Sequence, residues 1–124
     1  MPITQVAQVQ FRELVSPEEI QEARLSTICD CALALQKTCL HPTTKKPLVK
    51  SVTGGVDNSA EGLQDGMTHV FVFEFDNEDD KCVYQGIEPR REFTEAVSRV
   101  AAKYTVVDFT QGVFEYRRPS VASS

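Results

Sequence analysis

The most informative absences from this sequence are a long apolar run and an excess of positive charge. No segment approaches the roughly 20 apolar residues needed to cross a bilayer, so we expect no membrane partner. The 124 residues include 13 Lys or Arg against 18 Asp or Glu, which gives a formal net charge of −5. Nucleic-acid-binding proteins present basic surfaces to the phosphates, so this balance argues against a nucleic-acid partner.

The amino-terminal segment also lacks the basic region and apolar core of a secretory signal. It alternates polar and apolar residues instead, as strands do. We therefore expect a cytoplasmic protein with reduced thiols. Length and composition, with 41% hydrophobic and 25% charged residues, predict a single domain over residues 1–116 and a flexible tail over residues 117–124.

Patterns that bind metals or phosphates are missing as well. The four cysteines form no CxxC or CxxH pair, so we interpret them as small apolar side chains. The Gly54-Gly55 pair is not followed by the helix and spacing of a phosphate loop. We therefore expect neither a metal nor another cofactor.

Hydrophobic periodicity predicts a main order of β-α-β-β-α-β. The strands are expected over residues 3–12, 47–53, 66–75 and 104–114, with Gly54-Gly55 ending the second. The helices are expected over residues 16–38, opened by a capping box at 16–19, and over residues 89–104, with a short helix over 76–84. This order is typical of the α+β ferredoxin-like fold, a four-stranded antiparallel sheet with helices on one face.

The other face of this sheet would remain uncovered by the chain. It carries Val6, Val70, Val72 and either Val106 or Val107, which is unusually apolar for a surface in water. We therefore predict a homodimer that forms through the open sheet face. The alternative is a sheet with one solvated face that tolerates scattered valines.

Two segments carry a resemblance to a known family. They are CLHPTTKKPLVKSVTGGVDNSAEGLQDGMTHVFVFEFDNEDD, residues 39–80, and VVDFTQGVF, residues 106–114. Together they resemble the stress-responsive dimeric α/β-barrel family, often shortened to Dabb, particularly its fungal members. The resemblance implies the ferredoxin-like fold and a homodimer whose sheets meet as a barrel.

The same resemblance suggests a site between sheet and helices. Some members are similar to the plant cyclase that folds a linear tetraketide into olivetolic acid by aldol condensation, and others are stress-induced proteins without assigned chemistry. In the cyclase-like members histidines and tyrosines line a pocket, and the resemblance places His69 and Tyr84 there. This chain has Gln5 where many members have a histidine, and Arg91 in place of the histidine that is the catalytic base of the cyclase.

The residues themselves leave two interpretations of His69 open. It is either a core histidine satisfied by Gln5 or a backbone carbonyl, or it forms with Gln5 a polar patch in an apolar small-molecule pocket. The wall of that pocket would consist of Val9, Leu35, Phe71, Phe73 and Phe93.

Tyr84 and Arg91 can likewise be interpreted either as structural residues or as residues that bind a substrate. Tyr84 is either a helix-end aromatic or a hydrogen-bond donor to a substrate carbonyl or enolate. Arg91 is either a surface residue paired with Glu88 or Glu95, or the anchor of a carboxylate or enolate.

The leading hypothesis is a cofactor-independent enzyme of secondary metabolism that moves a proton beside a carbonyl. It would cyclise, isomerise or dehydrate a polyketide-like or terpenoid-like substrate, with His69 as general acid/base. The alternatives are a non-catalytic stress-responsive dimer and a protein that only binds an apolar or aromatic metabolite.

Overall fold

The structure is a computed structural model that describes residues 1–13 and 25–116. The elements in chain order are β1 (Ile3–Phe11), α1 (Leu25–Thr38), β2 (Ser51–Val56), β3 (His69–Phe75), α2 (Glu78–Tyr84), α3 (Glu88–Val100) and β4 (Ala101–Thr110). The expected element order and α+β ferredoxin-like fold are confirmed. The capping box expected at 16–19 and the tail expected at 117–124 lie outside the described residues.

The four strands form one antiparallel sheet in the order β2-β3-β1-β4. Its register places His69 and Tyr104 on either side of Val9, one on each neighbouring strand. Residues that pair directly across antiparallel strands share a face of the sheet. His69, Val9 and Tyr104 therefore form one row on the side that the helices cover.

Alternation along β1 and β3 produces the hydrophobic core. In β1 the odd-numbered residues are buried and the even-numbered ones are at least partly exposed, as a strand half-covered by helices requires. Phe71 of β3 meets Phe93 of α3 edge-on, with ring centroids 6.0 Å apart. The core thus joins the sheet to α1 and α3 on one side only.

The boundaries predicted for β2 were wrong. Pro47 forms only an isolated bridge with Leu40, and the strand runs from Ser51 through Gly54 and Gly55 to Val56. A Cβ on Gly54 would lie 2.7 Å from Cδ1 of Phe71 and 2.7 Å from a backbone oxygen. Gly54 is therefore a site of close approach inside the strand and does not end it.

The boundary between α3 and β4 also differs from the prediction. Residues 101–103, expected on the helix, lie in β4, as does Tyr104, where the helix was expected to meet the strand, because α3 ends at Val100. Arg12 binds the end of the helix, since its backbone N–H donates to the Val100 carbonyl and its guanidinium to the Arg99 carbonyl. Strand pairing with β1 begins at Ala101, the residue directly after the helix, and fixes the chain in extended form.

The open face of the sheet is more apolar than the sequence alone indicated. Val107 pairs with Val6, so it is Val107 and not Val106 that lies on this face. Val107 is 61% exposed, and Phe109, which was not among the residues expected there, is 46% exposed.

In the described part of the chain no helix has the length and hydropathy to span a bilayer.

Candidate functional site

His69 is a partly buried imidazole at the start of β3. Its ring packs edge-on against Phe11, with centroids 4.9 Å apart and an interplanar angle of 72°. Burial lowers the pKa of His69 below its ordinary value, because desolvation disfavours the charged ring. The imidazole is therefore predominantly neutral at pH 7.

The hydroxyl of Thr68 is the polar partner of this ring. His69 Nδ1 lies 2.9 Å from Thr68 Oγ1. The same oxygen lies 3.1 Å from the Val9 carbonyl and accepts the Phe11 backbone N–H at 3.2 Å. Sequence reasoning missed Thr68, and only the "MTH" tripeptide within the quoted resemblance could have drawn attention to it.

The expected partnership between Gln5 and His69 does not form. Gln5 pairs with Phe73, four residues along β3 from His69, or about 13 Å at strand spacing. Its side-chain amide donates to Asp108 Oδ1 at 2.9 Å, and the other Asp108 oxygen accepts from Lys81 at 3.2 Å. Gln5 is therefore a satisfied buried residue of the core at a distance from the imidazole.

Tyr84 ends α2 on the far side of the core. It is 1% exposed, and its ring centroid lies 5.0 Å from that of Phe75 and 6.2 Å from that of Phe73. Burial raises the pKa of Tyr84, and the nearby Arg90 opposes the rise only in part. The phenol stays protonated at neutral pH, so it can donate a hydrogen bond but cannot act as a base.

Arg91 does not reach the core. Its guanidinium is exposed and pairs with both Glu88 and Glu95, the latter at 2.8 Å. The hydrogen bond from Arg91 lowers the pKa of Glu88, and the same bond raises that of Arg91. The structure thus agrees with the interpretation of Arg91 as a surface residue.

The neighbouring Arg90, unlike Arg91, packs against a residue of the core. The guanidinium carbon of Arg90 lies 5.9 Å from the ring centroid of Tyr84, and Arg90 is partly buried. Among the described residues no carboxylate forms an ion pair with Arg90. Helical periodicity could have identified it, because Arg90 shares a face with the buried Phe93 and Val97 at spacings of three and seven.

Tyr104 extends this group across the sheet toward the imidazole. It lies two strands from His69, about 10 Å at the ordinary strand spacing. Burial raises the pKa of Tyr104, and Arg90 opposes the rise. Tyr104, Arg90 and Tyr84 therefore lie near one another on the helix-covered side, and Val9 of β1 separates them from His69.

The residues expected to form the pocket wall pack against one another. Each is at most 4% exposed, and the set is Val9, Leu35, Phe71, Phe73 and Phe93. His69 is absent from the linings of three surface cavities that described residues enclose. The largest, about 690 Å³, lies between the open sheet face and the loop around residues 57–65.

Within residues 1–13 and 25–116, no group of three or more His, Cys, Asp or Glu is arranged to hold a metal ion. The cysteines are unpaired thiols, and burial raises the pKa of Cys29 and Cys39. Such thiols are weak nucleophiles and poor metal ligands at neutral pH.

Comparison with known proteins identifies the family and the fold. Residues 3–111 match the family model of the stress responsive A/B barrel domain. No curated protein matches the sequence.

Solved structures of several functions share the fold. A hydroxynitrile lyase from Passiflora edulis has a TM-score of 0.72 at 18% identity, over 92% of this chain and 97% of that one. A dimeric ferredoxin-like protein of unknown function from Thermobifida fusca has a TM-score of 0.65 at 20% identity, over 88% and 90%. SnoaB, a cofactor-independent oxygenase from Streptomyces nogalater, has a TM-score of 0.63 at 10% identity, over 91% and 95%. At these identities the likeness shows the fold alone.

Proposed function

This chain belongs to the stress responsive A/B barrel domain family, and on that premise we propose that it is a cofactor-independent enzyme acting on small molecules. Its chemistry is proton transfer beside a carbonyl, as in the cyclisation, isomerisation or dehydration of a polyketide-like or terpenoid-like substrate. A lyase and a cofactor-independent oxygenase among the proteins of the same fold support this class. Fold likeness alone is weak support, so the proposal depends on the site.

The observation that carries the proposal is the neutral, partly buried imidazole of His69. Its pKa is lowered by burial, and its Nδ1 is held by a hydroxyl. A positioned neutral imidazole removes a proton next to a carbonyl, and such general base catalysis accelerates a reaction roughly 10²–10⁴-fold. His69 is therefore the general acid/base of the proposed reaction.

The other polar groups on this side of the sheet take supporting roles. Arg90 has no carboxylate partner among the described residues, so its guanidinium, which hydrogen-bonds Tyr84, can also bind the carboxylate or enolate of a substrate. Tyr84 and Tyr104 remain protonated and can donate hydrogen bonds, and Tyr84, which packs on Phe73 and Phe75, would meet the end of the substrate remote from His69. The aromatic side chains around them favour an apolar or aromatic ligand.

We further propose that two copies associate through the open sheet face. Val107 and Phe109 are exposed there beside the partly buried Val6, Val70 and Val72. Covering such a contiguous apolar surface removes it from water. Proteins of the same fold are described as dimeric, including the one from Thermobifida fusca.

One observation favours a second candidate function, a non-catalytic stress-responsive dimer. The five apolar residues expected to line the pocket are almost completely buried against one another. A core that is filled in this way leaves a ligand little room beside those side chains.

Deuterium exchange separates the two candidates. The probe is 4-oxo-4-phenylbutanoate, an aromatic ketone with a carboxylate, and NMR measures deuterium incorporation beside the ketone in D₂O. We expect the protein to accelerate exchange and His69→Ala to reduce the rate at least about 100-fold. The matched control is His41→Ala, since His41 is the other histidine and lies in a loop. Exchange that is equal with and without protein contradicts the catalytic proposal for this class of ketone.

A further inference from the structure

Three hydrogen-bonding groups of different kinds meet at the hydroxyl of Thr68. The Phe11 backbone N–H donates to Oγ1 at 3.2 Å, the Val9 carbonyl lies 3.1 Å away and His69 Nδ1 lies 2.9 Å away. Thr68 directly precedes β3, and its own backbone N–H donates to the same Val9 carbonyl at 2.8 Å. The hydroxyl is thus fixed to β1 by its own backbone and by two polar groups.

The hydrogen bond from the Thr68 hydroxyl to the Val9 carbonyl decides which nitrogen of His69 carries the proton. A threonine hydroxyl has one proton to donate and two lone pairs to accept with. The Phe11 N–H can only donate, so it occupies one lone pair. The Val9 carbonyl can only accept, and its two lone pairs accommodate both the hydroxyl and the Thr68 N–H. Because the hydroxyl donates its proton to the Val9 carbonyl, the remaining lone pair of Oγ1 is left to accept a proton from Nδ1 of His69.

We propose that Thr68 is a positioning residue that holds the neutral imidazole of His69 in the Nδ1–H tautomer, which leaves Nε2 as the basic nitrogen. The tautomer depends on the hydrogen bond that the Thr68 hydroxyl donates to the Val9 carbonyl, and the assignment of Nε2 as the catalytic base rests on the function proposed above. A ring whose proton is fixed on one nitrogen presents its lone pair in one direction, and such preorganisation favours proton abstraction.

The second histidine of the chain provides an internal reference. His41 Nδ1 accepts the backbone N–H groups of Thr43 at 3.1 Å and Thr44 at 3.2 Å. A nitrogen that accepts two hydrogen bonds carries no proton, so neutral His41 is the Nε2–H tautomer. The two histidines of this chain are therefore expected in opposite tautomers, and one spectrum can compare them.

The experiment is long-range ¹H–¹⁵N correlation of the whole protein labelled with ¹⁵N-histidine, recorded at pH 8. This method distinguishes the two neutral tautomers by their nitrogen shifts and cross-peak patterns. We expect the Nδ1–H pattern for His69 and the Nε2–H pattern for His41. An Nε2–H pattern for His69 in the wild-type protein would overturn the proposal without reference to any variant or activity.

Two variants test whether the hydroxyl of Thr68 fixes the tautomer of His69. Thr68→Val keeps the shape of the side chain but removes the hydroxyl, and we expect His69 to lose the pure Nδ1–H pattern. Thr68→Ser restores the hydroxyl, and we expect the pattern to return. An unchanged His69 pattern in a folded Thr68→Val protein would refute the role of Thr68.

The exchange assay then separates this inference from the proposed function. We expect Thr68→Val to lower kcat for deuterium exchange about tenfold with little change in KM, and Thr68→Ser to restore it. If the wild-type protein shows the Nδ1–H pattern but no exchange of the probe, the tautomer inference stands and the proposed function fails for this class of ketone.

Discussion

The buried side-chain amide of Gln5 donates a hydrogen bond to Asp108, which lies 103 positions away in the sequence, with a donor–acceptor distance of 2.9 Å. This bond joins β1 to β4 on the helix-covered side. Because Asp108 also accepts a hydrogen bond from Lys81 of α2, one carboxylate connects two strands and a helix. The polar residue that the sequence placed beside the imidazole therefore belongs to a structural network.

Removal of the carboxylate should destabilise the fold. We expect Asp108→Ala to lower the free energy of unfolding by about 1–3 kcal/mol, since the buried Gln5 amide then lacks its acceptor. Urea denaturation measures the change, and Asp30→Ala, which removes an exposed carboxylate from α1, is the control. The double variant Gln5→Leu/Asp108→Ala should recover part of the loss. Equal stability of Asp108→Ala and the control would show that water replaces the carboxylate.

The two adjacent arginines should differ in ligand binding. We expect Arg90→Gln to raise KM for 4-oxo-4-phenylbutanoate about 10–100-fold, because a charged hydrogen bond contributes about 1.5–3 kcal/mol. Arg91→Gln should leave KM unchanged, since Glu88 and Glu95 already pair with that guanidinium. The methyl ester of the probe removes the negative charge, so its KM should not respond to Arg90→Gln. Equal effects of the two arginine variants would contradict the anchoring role of Arg90.

The two adjacent glycines of β2 should differ in stability. Gly54→Ala places a Cβ 2.7 Å from both Cδ1 of Phe71 and the carbonyl oxygen of Val70. We expect a loss of about 1–3 kcal/mol in the free energy of unfolding, the usual cost of overpacking. Gly55→Ala meets nothing within 4 Å and should be nearly neutral. Thermal and urea unfolding compare the pair, and a neutral Gly54→Ala would mean that both the Phe71 ring and the Val70 backbone move aside without cost.

Adjacent valines of β4 test the dimer. Val107→Asp places a charge on the open sheet face, and we expect a monomer by analytical ultracentrifugation, because burying an unpaired carboxylate is costly. Val106→Asp is the matched control, since Val106 lies on the opposite face and is already 40% exposed. A dimer that persists in Val107→Asp would exclude this face as the interface.

The pKa of His69 should appear in the pH dependence of stability. Burial lowers the pKa of His69 in the folded protein below its unfolded value of 6.5. At pH values between the folded and the unfolded pKa, the unfolded chain therefore binds more protons than the folded one. The stabilising contribution is therefore complete above pH 6.5 and is lost as pH falls through the folded pKa. We expect the wild-type protein to lose more stability than His69→Asn between pH 7 and pH 5, measured by urea denaturation at each pH. Parallel pH profiles would indicate an imidazole that water solvates fully in the folded state.

Local patterns in the sequence determined much of this protein. Alternation with period two identified the buried faces of β1 and β3, and turn and helix signals established the order of elements, because both depend on neighbours within a few residues. The alternate spacing of Val70 and Val72, together with Val6, likewise indicated an apolar outer face. These features arise from backbone geometry that each segment carries by itself.

Only the tertiary structure decided which side chains meet. The sheet register paired Val107 with Val6 and placed Gln5 opposite Asp108, to which it donates a hydrogen bond. The rotation of α3 about its axis directed Arg90 to the core and Arg91 to solvent. It also placed the Thr68 hydroxyl between β1 and His69. A shift of one residue reverses the face of every side chain in a strand or turns a helix by 100°, and such shifts are settled by long-range packing.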